Sequence, residues 1–167
     1  KDLANKEVTL QLQVKNEEES FKPTGEIMLL IDNSDSMKEK TSDGKVRKDL
    51  VFESAKTLIS NLLEDNTKLK IGIASFSTNT DVEKEGTIED ATLVSQLSND
   101  ETTLKNAINN IEANGPRTDL QAGLSVATTG FSSESKNKYL IVLTDGVPNV
   151  AIDYDKNYYS DDVINKT

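Results

Sequence analysis

Residues 7–15, EVTLQLQVK, alternate along the chain. Val8, Leu10, Leu12 and Val14 fall on one face, and Thr9, Gln11 and Gln13 on the other. That period of two predicts a half-buried strand near a sheet edge. Residues 27–31, IMLLI, read differently. They are apolar throughout, as expected of a strand covered on both faces in a parallel sheet. From Val46 the apolar positions Leu50, Val51, Ala55, Leu58, Ile59, Leu62 and Leu63 recur in steps of three and four, which predicts a helix with one buried stripe. KLKIGIASFS (68–77) returns to strand, anchored by Ile71, Ile73 and Phe76. TNTDVEKEGTIED (78–90) reads as an exposed hairpin or edge element. Ser98 and Glu101 have capping-box spacing and open a helix carrying Leu104, Ile108 and Ile111. ANGPRT ends it, because glycine and proline break the pattern. DLQAGLSVATTGF (119–131) predicts a short helix packing through Leu120, Leu124 and Ala127, and KYLIVL (138–143) another fully buried strand.

Strands alternating with helices predict an α/β fold: doubly wound, with a mainly parallel central sheet and helices on both faces. Three parts are expected: an N-terminal strand and linker (1–22), the main domain (23–149), and an acidic loop or the start of an inserted arm (150–167). The chain begins without methionine and stops in mid-pattern, so the expectation is a piece of a longer protein.

Composition narrows the chemistry. The 167 residues suffice for one domain with a real core. A net charge of −10 repels phosphate backbones and makes nucleic acid an unsuitable partner. The chain contains no histidine and no cysteine. That removes Ser-His-Asp and Cys-His catalysis, the usual zinc sites, and disulfides. Any metal site must be built from oxygen, which favours magnesium, calcium or manganese. No apolar run approaches the roughly 20 residues of a membrane span, so no membrane insertion is expected of this segment.

In open α/β sheets, ligands bind beyond the carboxyl ends of the strands. One central strand here ends in IDNSDS, giving Asp32, Ser34 and Ser36. Another ends in TDG, giving Asp145. A third loop, GPRTDL, offers Thr118 and Asp119 where a helix begins. These small oxygen side chains suit a hard divalent cation, with the hydroxyls of Ser34, Ser36 and Thr118 coordinating directly and Asp32 and Asp145 directly or through water. Two nearby carboxylates would leave the cation electrophilic, ready for a carboxylate from another molecule.

Each loop has a plainer reading. Asp32 and Ser34 alone fit an N-cap or an Asx-turn, and Asp145-Gly146 is a common turn pair. Thr118 could cap the helix after GPR, and Asp119 reads as a first-turn helix residue rather than a ligand. In the tail, Asp153, Asp155 and Asn157 mimic the start of an EF-hand. Tyr158 stands where glycine is needed and Ile164 where glutamate is needed, so the tail reads as a solvated loop. A magnesium-dependent phosphohydrolase is the enzymatic rival, but its chemistry usually wants a second acid two residues after the nucleophile, and position 34 is serine. Arg117 is the nearest basic candidate for a phosphate. The chain is therefore read as non-enzymatic.

DNSDS, the threonine of GPRTDL, and TDG resemble the Asp-x-Ser-x-Ser, Thr and Thr-Asp-Gly elements of the von Willebrand factor A family, in the family's order. The resemblance runs from about Glu26 to Asn149. It implies a Rossmann-like fold and assigns Asp32, Ser34, Ser36, Thr118 and Asp145 to a metal-ion-dependent adhesion site. That site would hold Mg2+, with Mn2+ or Ca2+ as alternatives. An alternating strand and polar linker leading into IMLLIDNSDSM further resemble pilus-tip adhesins of Gram-positive bacteria. The implied setting is the bacterial cell surface, cell wall or pilus. The implied partner is a host or extracellular-matrix protein presenting a Glu or Asp carboxylate. An intracellular assembly module of the same family is the alternative. Asp35 departs from the glycine found in many bacterial relatives; its side chain is expected to point away from the metal. The strands and last helix that normally follow Thr-Asp-Gly are not apparent in AIDYDKNYYSDDVINKT. On this reading Asp32→Ala removes cation-dependent adhesion with the fold largely intact, and truncating Leu30 unfolds the domain.

Overall fold

In the computed structural model, the described residues are 24–64, 66, 68–78, 90–146, 148–150, 152–153 and 158–159. The strand expected at 8–14 and most of the hairpin expected at 78–90 lie outside them. The elements are β1 (Gly25–Asp32), a 3-10 turn (Asp35–Lys38), α1 (Arg47–Leu63), β2 (Leu69–Phe76), β3 (Ala91–Ser98), α2 (Glu101–Asn109), α3 (Leu120–Thr129), β4 (Lys138–Leu143), and a ribbon of β5 (Ile152–Asp153) and β6 (Tyr158–Tyr159). The central sheet has the order β3-β2-β1-β4. β1 lies parallel to both β2 and β4, and β3 pairs antiparallel with β2. It is a mixed, mainly parallel sheet flanked by helices, as the alternation predicts.

β1 explains why the sheet must be covered twice. Met28, Leu29, Leu30 and Ile31 are all fully buried, so neither face of the strand meets water. Ile27, Leu29 and Ile31 pack with Phe52, Ala55 and Ile59 of α1 and with Leu104 and Ile108 of α2. Met28 and Leu30 pack on the opposite face with Phe76 of β2 and Ala122 and Ala127 of α3. α3 can approach closely because position 123 is glycine: a Cβ there would stand 2.8 Å from the Phe76 side chain. Glu26, at the start of β1, is buried as well. Its carboxylate accepts from the Ser132 amide at 2.9 Å and from the Ser132 hydroxyl, tying the loop before β4 to β1.

Several details depart from the expectation. β4 is not fully buried. Tyr139 is 52% exposed and Val142 37%, because β4 pairs on one side with β1 and, among the described residues, nothing pairs with its other side. Leu124 is exposed, since α3 turns Ala122, Gly123 and Ala127 inward instead. β3 escapes the expected order of elements altogether: its sequence, ATLVSQLS, is polar at four of eight positions, as suits a strand pairing with one neighbour. Ile111 is buried but lies beyond the end of α2. The tail read as a loop contains the β5–β6 ribbon, with Ile152 opposite Tyr159 and Asp153 opposite Tyr158. Asp155, Asn157 and Ile164 lie outside the described residues.

The capping residue of α2 is Asp100, not Ser98. Its carboxylate accepts from the Thr102 amide at 3.0 Å and from the Thr103 hydroxyl at 2.6 Å, while Ser98 Oγ accepts from the Asp100 amide at 3.0 Å. The Thr103 hydroxyl, then the Thr102 amide, hold the Asp100 carboxyl below its usual range. A group whose folded-state pKa is depressed stabilises the fold above its unfolded pKa and loses that contribution as pH falls through the folded value. Asp100→Ala is therefore expected to lower the melting temperature modestly at neutral pH. The gap from the unsubstituted chain should close in acid, below the ordinary aspartate range. Calorimetry across that range checks it; a gap that widens in acid would contradict the capping role.

Candidate metal centre

The carboxyl ends of β1 and β4 lie side by side, with Ile31 paired to Leu143. Asp32 is the last residue of β1 and is fully buried. One carboxylate oxygen, Oδ1, accepts from the Ser34 amide at 2.8 Å, which is the Asx-turn anticipated for this loop. The other, Oδ2, accepts from the Thr144 hydroxyl at 2.7 Å, just past β4. The Asx-turn and a shared site are thus not exclusive: the turn fixes the Asp32 carboxylate and aims the following hydroxyls. Ser34 Oγ and Ser36 Oγ lie 2.9 Å apart, and the Ser36 hydroxyl donates to Asp145 Oδ1 at 2.9 Å. One hydrogen-bonded chain therefore joins Ser34, Ser36 and Asp145, residues separated by 109 positions between Ser36 and Asp145. The 3-10 turn that carries Ser36 is pinned by Met37, which is fully buried.

Thr118 is not a member of this chain, but its loop is carried to the same edge. Ser34 forms an isolated parallel bridge with Gly115, and the Asp35 amide donates to the Gly115 carbonyl at 2.7 Å. Glycine is required at 115, because a Cβ would lie 2.1 Å from Ser77 Oγ and 2.9 Å from the Thr78 carbonyl oxygen. The Thr118 amide donates to Asn149 Oδ1 at 2.9 Å, and the Asn149 amide returns a bond to the Thr118 carbonyl at 3.2 Å. Asn149, six residues after the end of β4, thus holds the Thr118 loop. Thr118 itself is buried and does not cap α3. Asp119 does, accepting from the Ala122 amide at 2.9 Å through Oδ1. Its Oδ2 is buried without a hydrogen-bond partner among the described residues. Burial, with the nearby Asp90 charge adding to it, pushes the Asp119 carboxyl up to about 6.

Asp35 turns outward, where its carboxylate meets Lys38 Nζ at 2.7 Å. Three participants were not anticipated from sequence. Thr144 bonds to Asp32, Asn149 braces Thr118, and Arg47 reaches Asp145 Oδ2 at 2.8 Å. Thr144 and Asn149 flank Asp145 closely enough to have been considered. Arg47 is 98 residues away, and nothing local marks it.

The donor set is two carboxylates and three hydroxyls. Among the described residues there is no group of three or more His, Cys, Asp and Glu side chains able to hold a metal. Of these five groups, Ser34, Ser36 and Asp145 have side-chain oxygens within hydrogen-bond distance of one another, and all five are hard donors of the kind a magnesium-class cation takes.

Comparison with known proteins agrees with this architecture. The model of the von Willebrand factor type A domain matches residues 27–147. No curated protein matches the chain. Among solved structures, the chain is similar to the vWF domain of the type V pili tip protein Mfa5 from Porphyromonas gingivalis, at TM-score 0.62 and 18% identity, over 77% of this chain and 40% of that one. It is similar to the PilB minor pilin from Streptococcus sanguinis at TM-score 0.61 and 22% identity, over 77% of this chain and 32% of that one. It is also similar to the SpRpn10 VWA domain, at TM-score 0.55 and 15% identity, over 81% of this chain and 65% of that one. The chain spans well under half the length of the two pilus proteins, and at these identities the likeness is one of fold. No helix among the described residues is long and apolar enough to cross a membrane. Sheet order, the loops at its carboxyl edge and the match over residues 27–147 lead to one conclusion: the chain belongs to the von Willebrand factor type A domain family.

Proposed function

We propose that the chain is a non-enzymatic cell-surface adhesion module that binds a protein ligand through a divalent cation held by Asp32, Ser34, Ser36, Thr118 and Asp145. The observation that carries this reading is the hydrogen-bonded chain from Ser34 through Ser36 to Asp145. It brings the ends of β1 and β4 together and leaves a cluster of hard oxygens at one sheet edge. Mg2+ is the cation the donor set suits best, with Mn2+ or Ca2+ as alternatives. Bound there, it would supply a Lewis-acidic position for a Glu or Asp carboxylate of a host or matrix protein. The chain's own residues do the rest. Asp32, held by two donors, fixes the loop; Ser34 and Ser36 present hydroxyl lone pairs; Asp145 accepts a hydrogen bond from the Ser36 hydroxyl and contributes charge. Similarity to a pili tip protein and a minor pilin supports a bacterial surface setting, on a pilus or the cell wall. Similarity to the SpRpn10 VWA domain keeps a second reading, an assembly module acting inside the cell. A phosphohydrolase fits less well: Ser34, two residues after Asp32, is bonded to Ser36 and supplies no acid.

The test is titration calorimetry with Mg2+ and Mn2+ on the unsubstituted chain and on Thr118→Ala. Binding is expected in the former, and a loss of at least about tenfold in the latter. Equal binding by both would remove the Thr118 loop from the site, and no binding by the unsubstituted chain would end the cation reading. Retention of the chain on immobilised matrix proteins, reversed by chelator, then separates adhesion from the assembly alternative.

A further inference from the structure

We propose that Arg47 tunes the affinity of the candidate cation site, as a tethered positive charge that weakens cation binding by neutralising Asp145. This rests on the cation-site reading above and adds a residue that reading does not contain.

Arg47 is the first residue of α1, and both its backbone and its guanidinium are held. Its amide donates to the Glu39 carbonyl at 2.9 Å, and the neighbouring Val46 forms a bridge with Lys40, which closes the intervening loop. The guanidinium then forks. Nη1 meets Asp145 Oδ2 at 2.8 Å, and Nη2 meets Glu39 Oε2 at 3.2 Å. The Arg47 side chain is 33% exposed and that of Asp145 only 7%, so this pair is set into the site rather than lying on the surface. Neighbouring basic groups are engaged elsewhere: Lys38 pairs with Asp35 at 2.7 Å, and Lys48 sits over the Phe52 ring at 5.0 Å.

The division of labour at Asp145 is the central point. Oδ1 takes the Ser36 hydroxyl, on the side of the clustered oxygens, and Oδ2 takes Arg47, on the other. Arg47 therefore leaves the oxygen cluster open while offsetting one of its two carboxylate charges. Asp32 and Asp145 alone would carry −2; the Arg47 guanidinium, shared with the more exposed Glu39, offsets part of that charge. A divalent cation is attracted less strongly, and a loaded site presents more positive charge to an incoming carboxylate. A purely structural strut would act in the opposite direction, because losing it would free Asp145 and weaken cation binding.

The sign of the effect is the test. Mn2+ affinity is measured by calorimetry for the unsubstituted chain, Arg47→Gln and Arg47→Lys. Melting in chelator confirms that each variant folds. Arg47→Gln is expected to bind Mn2+ about tenfold more tightly at low salt, the size of a unit charge acting on a divalent one through largely aqueous screening. Arg47→Lys, which keeps the charge, should stay within about threefold of the unsubstituted chain. The gain in Arg47→Gln should fade as ionic strength rises from about 0.01 M to 1 M and the screening length falls from roughly 30 Å to 3 Å. Unchanged or weaker binding in Arg47→Gln, or a gain insensitive to salt, overturns the proposal. Should Arg47→Gln not fold, Arg47→Lys decides: affinity changed by tenfold or so in either direction overturns it. If none of the three binds, the cation reading and this inference fall together.

Discussion

Asp32→Asn is expected to lower divalent-cation affinity by about a hundredfold or more while leaving the domain folded. The choice of asparagine follows from the burial of Asp32, which is complete. Both its carboxylate oxygens are in use, one by the Ser34 amide and one by the Thr144 hydroxyl. Alanine at this position would strand a buried amide and a hydroxyl, at a cost of about 1–3 kcal/mol for the unsatisfied donor alone. A loss of binding in Asp32→Ala would then mix chemistry with a loosened loop. Asparagine keeps an oxygen for the Ser34 amide, and the Thr144 hydroxyl can rotate to accept from the new amide group. What disappears is one full negative charge. Calorimetry with Mn2+ measures the affinity, and a thermal melt in chelator measures the fold. Near-normal binding by a folded Asp32→Asn would mean that the cation is not held at this edge. Normal melting with lost binding would assign Asp32 to the site and not merely to the turn.

The framework was legible in the sequence where a residue's neighbours along the chain determine its environment. The unbroken apolar run of β1 marks a strand covered on both sides, and the three-four spacing from Leu50 to Leu63 marks α1, because both periods follow from local geometry. Asp32, Ser34 and Ser36 could be placed on one loop for the same reason, and Asp145 at the end of another strand. Properties set by distant partners were not legible. β4 reads like β1 in sequence, yet Tyr139 and Val142 are exposed because it has a single neighbour in the described sheet. Arg47 reads as an ordinary basic residue at a helix start, and only the folded chain brings it to Asp145. Asp100 displaced Ser98 as the cap of α2 because both lie within one turn of the helix start, and spacing alone does not say which residue takes extended backbone geometry.

Leu30 and Leu124 carry this distinction into energetics, and truncating them is expected to give opposite results. Both sit in segments whose apolar pattern points inward. Leu30 is fully buried, whereas Leu124 is 38% exposed. Leu30 packs against Phe76, Ala122 and Ala127 in the layer between the sheet and α3. Met28 shares that layer, but the neighbouring β-strand and helix backbones limit how far it can collapse into a gap. Gly123 brings the α3 backbone so near that a Cβ there would lie 3.2 Å from Leu30 Cδ1. Leu30→Ala therefore removes apolar contacts and leaves a cavity between two rigid elements, at an expected cost of about 2–5 kcal/mol. Against a total stability of roughly 5–15 kcal/mol, that unfolds a substantial share of molecules or comes close to it. Leu124→Ala removes a side chain already more than a third in water and should shift stability by no more than about 0.5 kcal/mol. Urea titration compares the two, read as a change in midpoint at constant slope. A Leu30 variant as stable as the Leu124 variant would mean that α3 does not pack on β1 as described. The consequence would reach the candidate metal centre, because Asp32 lies two residues beyond Leu30 on the same strand and α3 begins one residue after Asp119, next to Thr118. A core that holds β1 and α3 in register is what allows loops from both to meet at one edge.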